Sequence, residues 1–301
     1  MREIINEIKL NSIGRIEENV SLKKYTTYKT GGKARLIVYP KDVEKLILLI
    51  KLLRDKKIEY KLLGNGSNLL FSDLDYEGVL IKLNEFDDIE INGNRIKVGA
   101  GFPLIKLSRI AAKNNLTGIE FASGIPGTIG GAVFINAGAY KSDMGYIVTS
   151  VKVLTPELKI ITMENKEMNF HYRTSFLKTH PDYICLEANI RLNYGKREAI
   201  ESLMRERLKR RLDSQPLNYP SAGSVFRNPK DMFAGELIEN LGLKGMKKGG
   251  AEISEKHANF IVNKHNAKSS DIKYLIDLAR EKVKEKYNVE LIVEQEFVNW
   301  R

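Results

Sequence analysis

The segments LGNGSNLL, at residues 63–70, and GIPGTIGGA, at residues 124–132, decide how this sequence is interpreted. Each follows β-type sequence, and glycine lets backbone amides approach a phosphate closely. Neither is a Walker A loop, because no Gly-Lys-Ser/Thr follows, and Leu69 stands where a Rossmann GxGxxG motif needs its third glycine. Taken singly, each segment also fits an ordinary tight turn. Together they favour a bound dinucleotide. The two loops would hold it between them, without the helix N-terminus that binds the phosphates in a Rossmann fold.

The composition is that of a globular protein long enough for about two domains. The chain has 301 residues, of which 43% are hydrophobic and 29% charged, and roughly 150 residues are typical of one domain. Its one cysteine, Cys185, excludes an intrachain disulfide and any CxxC motif. The four histidines form no HExxH motif, so we predict no metal site.

The net charge of +11 favours an anionic partner, although lysines that only solvate the surface explain it equally well. The densest basic cluster, Arg205–Arg211, lies within one helical pattern, and no nucleic-acid-binding motif accompanies it. The N-terminus is not a signal peptide, and the longest apolar stretch, Leu46–Leu53, is too short to cross a bilayer. We therefore expect no nucleic-acid partner, no membrane insertion and a cytoplasmic location, with a monomer as the default.

Helical and strand-like periodicities alternate along the chain, which predicts an α+β protein. Helices are predicted over Asp42–Lys57, Pro103–Asn114, Arg197–Leu212 and Glu236–Leu241, and after a cap at Ser269 or Ser270. Strands are predicted over Leu36–Tyr39, Glu59–Leu63, Gly78–Leu83, Val148–Leu154, Lys159–Met163, Ile184–Leu192, His257–Asn263 and Val289–Val298. Ile89–Val98 carries Asn-Gly-Asn between two β-prone runs, which predicts a hairpin. Gly118–Ala139 and Ser214–Asp231 are predicted loops.

Three further positions carry side chains that could act chemically. Arg173 follows Tyr172, and arginine is the best bidentate partner for a carboxylate or phosphate, although a surface ion pair is the simpler interpretation. Ser224 lies in the loop SAGSVFRNP, at residues 221–229, which is not a GxSxG elbow and fits an ordinary turn. Glu294 lies in the predicted last strand, where a glutamate usually faces solvent.

Taken together and in this order, the motifs resemble the UDP-N-acetylenolpyruvoylglucosamine reductase family of flavoenzymes. Besides those above, the matching segments are TYKTGG at 27–32, GIEF at 118–121, NAGAY at 136–140, AGELIE at 234–239, GLKG at 242–245, GGA at 249–251 and HANFIVN at 257–263. Any one of them could arise by chance. The ordered series, which runs through nearly the whole chain, is specific.

The resemblance implies an FAD-binding domain of the vanillyl-alcohol-oxidase/p-cresol methylhydroxylase type and a smaller C-terminal α/β substrate domain. The FAD domain would cover residues 1–194 as two α/β subdomains, about 1–82 and 83–194. The substrate domain would cover 195–288, and 289–301 would form a terminal strand returning to the FAD domain. The residues implied to bind FAD, non-covalently, are Tyr28, Gly64, Asn65, Gly66, Ser67, Asn68, Leu69, Gly124, Pro126, Gly127, Thr128, Gly130, Gly131 and Ala132.

The implied reaction is NADPH-driven reduction of UDP-N-acetyl-3-O-(1-carboxyvinyl)-glucosamine to UDP-N-acetylmuramate, in peptidoglycan precursor synthesis. Hydride transfer to the terminal methylene carbon leaves negative charge beside the substrate carboxylate, which needs cationic or hydrogen-bond stabilisation. By their place in the motifs, Arg173, Ser224 and Glu294 match the family's catalytic residues. Arg173 suits the carboxylate, a protonated Glu294 could donate to the developing charge, and Ser224 is the implied proton donor. The residues implied to bind the substrate are Tyr172, Arg173, Ser224, Asn228, His257 and Glu294.

The sequence departs from the family pattern in two places. Around the catalytic glutamate the family has Pro-Glu-Val-Arg, whereas this chain has Val293-Glu294-Gln295-Glu296, so the alignment of Glu294 depends on its spacing to the chain end. Only about 50 residues separate Arg173 from Ser224, which leaves little room for the loop whose tyrosine caps the substrate in the longer-chain class. We therefore assign this chain to the short-loop class.

Three alternatives stay open at this point. A sugar or alcohol oxidase of the same flavin fold is the nearest, but many of those bind flavin covalently through His or Cys, and neither glycine-rich loop contains either residue. A basic protein that binds nucleic acid or an anionic surface predicts purification without flavin and salt-dependent binding. A flavin-binding protein that has lost catalysis fits the changed residues around Glu294.

Overall fold

The computed structural model describes residues 1–300 and has the mixed α+β content that the periodicities predict. The helices are α1 (Arg2–Leu10), α2 (Val43–Asp55), α3 (Leu104–Lys113), α4 (Ile129–Phe134), α5 (Phe176–Thr179), α6 (Arg197–Ser214), α7 (Ala234–Asn240) and α8 (Ser269–Tyr287). The strands are β1 (Gly14–Ser21), β2 (Lys33–Pro40), β3 (Tyr60–Leu62), β4 (Leu69–Phe71), β5 (Tyr76–Ile81), β6 (Ile89–Asn92), β7 (Arg95–Gly99), β8 (Leu116–Thr117), β9 (Gly138–Ala139), β10 (Ser142–Asp143), β11 (Val148–Leu154), β12 (Ile160–Glu164), β13 (Ile184–Arg191), β14 (Asn193–Tyr194), β15 (Lys247–Lys248), β16 (Ala251–Ile253), β17 (Ile261–Asn263) and β18 (Glu296–Val298).

The chain divides into two compact units, neither of which is continuous in sequence. Unit 1 comprises Met1–Glu17, Leu36–Gly64 and Gly78–Lys209. Unit 2 comprises Glu18–Arg35, Asn65–Glu77 and Arg210–Arg301. The division into an FAD domain and a substrate domain near residue 194 stays a prediction.

Helix α2 shows how the first apolar core of unit 1 is specified. Asp42 caps it by accepting a 2.8 Å hydrogen bond from the Lys45 amide. Its buried residues recur at helical spacing and are Leu46, Leu49, Ile50 and Leu53. They pack with α1 and with residues of a four-stranded sheet of order β1-β2-β5-β3.

The second core of unit 1 is built around an antiparallel five-stranded sheet of order β12-β11-β13-β7-β6. Its β6–β7 hairpin confirms the predicted turn: Asn92 pairs with Arg95, and Gly93 has a φ of +58°. A two-residue turn of this kind requires a positive φ at its first central residue, which glycine adopts readily. Residues of α3 and α4 complete this core.

Unit 2 is organised by helix α8. Its buried residues are Ser269, Ile272, Leu275, Ile276, Ala279 and Val283. The helix contacts all three strands of the antiparallel sheet β15-β16-β17. A second, two-stranded sheet pairs β4 in parallel with β18. The first strand of that pair continues the first glycine-rich loop, and the second follows Glu294.

Several predicted elements are corrected by the structure. Gly118–Ala139 is not only loop, because it contains α4 and a 3-10 turn at Glu120–Gly124. The predicted last two strands shorten to β17 and β18, and α1, β1 and β4 were not predicted. Helix α8 begins at Ser269 but has Lys268 as its N-cap, and the Asp73 carboxylate accepts from the first two helical amides at 2.7 and 2.9 Å. In residues 1–300 no helix is both long and apolar enough to span a membrane.

Candidate active site

The first glycine-rich loop begins in unit 1, beside the second loop. The Gly64 carbonyl oxygen accepts a 2.6 Å hydrogen bond from Lys82 Nζ. A Cβ atom on Gly64 would lie 3.1 Å from Thr128 Oγ1, which is tighter than an ordinary contact. The two loops therefore approach each other at a position where the first has no side chain, as a clamp on one diphosphate requires.

Lys82 is a buried charged group that the sequence analysis did not identify. It follows strand β5, is 7% exposed, and its Nζ also lies 3.5 Å from the Leu63 carbonyl oxygen. Burial lowers the pKa of Lys82 to about 8, an effect that the charge of Glu17 opposes and that of Arg15 reinforces. The available signal was a lysine inside the apolar run GVLIKL. Its ammonium group places positive charge at the start of the first loop.

The second glycine-rich loop turns directly into the six-residue helix α4. Thr128 is its N-cap, and Thr128 Oγ1 accepts from the Gly131 amide at 3.4 Å. The Gly130 amide donates to the Ala100 carbonyl at 2.8 Å, and a Cβ atom on Gly130 would lie 3.1 Å from Ala100 Cβ. The glycine therefore allows close backbone packing at this point, while Gly131 is exposed.

The remaining residues predicted in the second loop differ in their surroundings. Pro126 is exposed, and Gly124 ends the 3-10 turn before it. The Gly127 carbonyl accepts a 3.0 Å hydrogen bond from the Leu104 amide at the start of α3. Ala132 is 4% exposed and belongs to the apolar core. Their predicted contacts with FAD stay predictions.

The rest of the first loop lies in unit 2. Gly66 has a φ of +61°, and a Cβ atom there would lie 2.1 Å from the Tyr25 carbonyl oxygen, so no other residue fits without movement. Asn65 is exposed and Ser67 is half-buried. Leu69 begins strand β4 and pairs with the first residue of β18. The loop is thus held in one conformation at its glycine and is continuous with a strand at its end.

Ser224 and Glu294 are brought onto neighbouring segments within unit 2. The Glu294 amide donates a 2.8 Å hydrogen bond to the carbonyl of Val225, the residue after Ser224. The Glu294 carbonyl accepts from Asn68 Nδ2 at 3.2 Å, so the first glycine-rich loop holds the other side of the same residue. Both Ser224 and Glu294 are half-buried. Two residues that are 70 positions apart in sequence therefore lie close together.

Tyr28 is fully buried, with an exposed fraction of 0%. Its hydroxyl donates a 3.0 Å hydrogen bond to Gln295 Oε1. Burial raises the pKa of Tyr28, and the hydrogen bond to Gln295 only partly opposes this. Sequence reasoning did not identify Gln295, which the family pattern gives as valine. The role predicted for Tyr28 in FAD binding stays a prediction.

Arg173 lies in a strained turn of unit 1. The turn spans Tyr172 and Arg173, between His171 and Thr174, whose backbone groups pair in both directions at 3.1 Å. Arg173 has a φ of +56°, a conformation that costs a non-glycine residue on the order of 1–3 kcal/mol and that clusters at functional sites. Asn136 Nδ2 anchors the turn by donating to the His171 carbonyl at 2.8 Å. The guanidinium carbon lies 5.2 Å from the centre of the half-exposed Tyr172 ring.

The two other residues predicted to bind substrate both lie in unit 2. Asn228 is exposed, and its Oδ1 accepts a 3.1 Å hydrogen bond from the amide of Ala234, the first residue of α7. His257 is half-buried, and its Nδ1 accepts from the Asn259 amide at 3.2 Å. Burial lowers the pKa of His257, and the charge of Lys244 lowers it further. Both effects favour the neutral imidazole, in which Nδ1 accepts from the Asn259 amide.

Cys185 offers no attachment point for a flavin. It lies in β13, 6% exposed, and burial raises the pKa of its thiol to about 12. A buried protonated thiol is a poor nucleophile. In the described part of the chain, no three His, Cys, Asp or Glu side chains are grouped so that they could hold a metal ion.

Comparison with known proteins identifies relatives along the whole chain. Residues 34–164 match the FAD binding domain family, and residues 215–298 match the family described as UDP-N-acetylenolpyruvoylglucosamine reductase, C-terminal domain. UDP-N-acetylenolpyruvoylglucosamine reductase 1 of Bacillus anthracis is 44% identical over 299 residues, which are 99% of each chain. The reductase of Halalkalibacterium halodurans is 43% identical over 100% of each chain. The crystal structure of UDP-N-acetylenolpyruvylglucosamine reductase from Thermus caldophilus is similar, with a TM-score of 0.81 and 35% identity, and covers 94% of this chain and 99% of that one.

Proposed function

The chain belongs to the UDP-N-acetylenolpyruvoylglucosamine reductase family, and from that membership we propose how its own residues carry out the reaction. It is an FAD-dependent oxidoreductase that uses NADPH to reduce UDP-N-acetyl-3-O-(1-carboxyvinyl)-glucosamine to UDP-N-acetylmuramate, in peptidoglycan precursor synthesis. The relatives give the oxidase alternative no support.

The two glycine-rich loops fit the diphosphate of FAD. At Gly64 and Thr128 the backbone of one loop approaches the other, and Lys82 adds positive charge beside them. We assign the residues predicted in both loops to FAD binding. When bound, FAD supplies the hydride that reaches the terminal methylene carbon of the substrate.

Arg173 is assigned to the substrate carboxylate. Its guanidinium can donate two parallel hydrogen bonds to a carboxylate and stabilise the negative charge that develops beside it. The two hydrogen bonds between His171 and Thr174 hold the turn that carries the arginine, which supports a fixed position for the residue. We assign Tyr172 of the same turn, together with Asn228 and His257, to binding the rest of the UDP-sugar.

Ser224 and Glu294 are assigned to the protonation step. The Ser224 hydroxyl donates its proton to the α-carbon, and a Glu294 carboxyl that carried a proton would donate a hydrogen bond to the developing charge. The observation that carries this assignment is the 2.8 Å hydrogen bond from the Glu294 amide to the Val225 carbonyl, which places the two residues on adjacent segments. That proximity supports the alignment of Glu294, which the sequence alone bases only on spacing.

The domain limits and the cellular setting are proposals of the same kind. The matched FAD-binding range, residues 34–164, lies inside the proposed FAD domain of residues 1–194. The matched C-terminal range, residues 215–298, lies inside the remainder of the chain. We propose that the enzyme acts as a monomer in the cytoplasm, where NADPH and UDP-sugars are available.

An anaerobic titration of the purified protein tests the function. NADPH is expected to bleach the visible bands of the oxidised flavin, and the enolpyruvyl UDP-sugar is expected to restore them. Bleaching without restoration by that substrate would contradict the proposed reaction. A colourless protein that takes up no added FAD would contradict the flavin assignment as a whole.

A serine variant tests the catalytic assignment. Ser224→Ala should keep FAD and its reduction by NADPH, and should lose turnover of substrate by a factor on the order of 10²–10³. Ser221→Ala, three residues earlier in the same loop, is the matched control and should keep near wild-type turnover. If Ser224→Ala turned over substrate within a few fold of wild type, the role of Ser224 would be wrong.

A further inference from the structure

Gln295 is buried beside the two proposed catalytic residues of unit 2, with an exposed fraction of 5%. Its Oε1 accepts the 3.0 Å hydrogen bond from the Tyr28 hydroxyl. Its Nε2 lies within hydrogen-bond distance of two consecutive carbonyl oxygens, 3.3 Å from Ala222 and 3.4 Å from Gly223. Both ends of one amide side chain are therefore occupied, and one end holds the backbone immediately before Ser224.

The contact from Gln295 falls on the backbone that leads into Ser224. Phe226 and Val293 form an isolated antiparallel bridge, and the Glu294 amide donates to the Val225 carbonyl, so residues 293–294 run beside residues 225–226. Gly223 has a φ of +75°, and a Cβ atom there would have no neighbour within 4 Å. A glycine in this conformation has no side chain that packing could hold, and the hydrogen bonds from Gln295 act on its carbonyl and on that of Ala222.

The far end of the hydrogen-bond chain is fixed. Tyr28 is fully buried, and its carbonyl oxygen accepts a 2.9 Å hydrogen bond from Asn263 Nδ2. Asn263 Oδ1 in turn accepts from the Ala267 amide at 2.8 Å. The Tyr28 hydroxyl is thus a stationary donor, and it orients the Gln295 amide so that Nε2 points at the two carbonyls.

We propose that Gln295 is a positioning residue that holds the Ser224 turn in place next to Glu294, with Tyr28 as its anchor. This inference rests on the proposed roles of Ser224 and Glu294. Gln295 lies next to Glu294 in sequence, and its Nε2 lies 3.4 Å from the carbonyl oxygen of Gly223, the residue before Ser224, so it links the two segments. An apolar side chain of similar length would fill the space but could not donate to the carbonyls or accept from the tyrosine.

The test is a double-mutant cycle that compares wild type, Gln295→Met, Ser224→Ala and the double variant. The rate at which substrate reoxidises the reduced flavin is measured for each. Gln295→Met should lower that rate by about 10–100-fold in the wild-type background, because a small displacement of a reacting group has effects of this size. In the Ser224→Ala background it should lower the rate by less than about threefold, because there is no serine hydroxyl left to position. FAD content and the rate of flavin reduction by NADPH should stay within about twofold of wild type.

The outcomes separate this proposal from the proposed function. If Ser224→Ala is strongly impaired but Gln295→Met reoxidises within about threefold of wild type, the positioning role is overturned and the catalytic role stands. If Gln295→Met lowers the rate equally in both backgrounds, its effect is general disruption and the positioning role is again overturned. If Ser224→Ala itself is reoxidised at the wild-type rate, the proposed catalytic role of the serine is wrong, and the positioning role that rests on it is wrong as well.

A second variant decides the question if Gln295→Met does not retain FAD. Tyr28→Phe removes only the anchoring hydroxyl and keeps the buried ring. It should lower the reoxidation rate by about 3–10-fold in the wild-type background and by less than about twofold in the Ser224→Ala background. Tyr274→Phe, at a half-exposed position on α8, is the matched control and should leave the rate unchanged. Equal rates for Tyr28→Phe and Tyr274→Phe would overturn the proposal.

Discussion

Replacing Lys82 by methionine tests whether a buried ammonium group lies at the start of the first glycine-rich loop. The side chain is 7% exposed and donates to the carbonyl oxygens of Gly64 and Leu63. Burial lowers the pKa of Lys82 from 10.5 to about 8. Methionine has a similar length and no charge, so Lys82→Met removes the titration while filling most of the space.

The size of the effect follows from proton linkage. Below about pH 8 the lysine is protonated in both states, and the folded state carries the full cost of the buried charge. Between about pH 8 and 10.5 the unfolded chain still binds a proton that the folded protein has lost, so raising the pH stabilises the folded state. From the two pKa values, the free energy of unfolding of wild type should rise by about 2 kcal/mol relative to Lys82→Met between about pH 7 and about pH 9.5.

The assay is denaturant unfolding of flavin-free wild type and Lys82→Met at both pH values, since bound FAD would add its own contribution. Lys51→Met, at an exposed position on α2, is the control, and its difference from wild type should not change with pH. A Lys82→Met difference that stayed constant within about 0.5 kcal/mol would show that Lys82 does not titrate as a buried group, and the reasoning would be refuted.

Three further predictions concern single positions. Gly66→Ala should destabilise the protein in urea unfolding by at least about 2 kcal/mol more than Gly242→Ala does. Both glycines have a positive φ, but a Cβ atom at 66 would lie 2.1 Å from a carbonyl oxygen, whereas a Cβ atom at 242 would have no neighbour within 4 Å. Ile276→Ala should cost about 2–5 kcal/mol in the same assay, because the side chain is fully buried in the core of unit 2. Cys185 should not react with a thiol reagent in the native protein at about pH 8 and should react once unfolded, because burial raises its pKa to about 12.

Elements with a strong local signal were predictable from the sequence. Helix α2 could be predicted because its apolar residues repeat at helical spacing after an Asp cap. The β6–β7 hairpin could be predicted because its turn needs glycine. Helix α1 was missed although Ile4, Ile5 and Ile8 are buried on one face, because nine residues near a terminus give a weak pattern. The terminal strand was predicted too long, because β18 pairs only where β4 provides a partner, over Glu296–Val298.

The candidate site was predictable only in part. The glycine-rich loops could be identified because the backbone conformation at Gly66 and the close approach at Gly64 restrict the residue type directly. Ser224 and Glu294 carry no such local restriction, so only the resemblance selected them. Gln295 and Lys82 escaped both routes, because their roles come from carbonyl groups that tertiary structure brings to them.

The contacts of Asn68 show why Glu294, which we propose to be catalytic, has no local signature in the sequence. Its side chain donates to the Glu294 carbonyl at 3.2 Å, and its own carbonyl accepts from the Glu296 amide at 2.9 Å. The Glu294 amide, meanwhile, donates to Val225 beside Ser224. One residue of the loop assigned to FAD therefore fixes the backbone on both sides of residue 295, between the cofactor loop and the serine turn. The position of Glu294 is therefore set by its hydrogen bonds to Asn68 and Val225. Strand β18 begins only two residues later and does not include it.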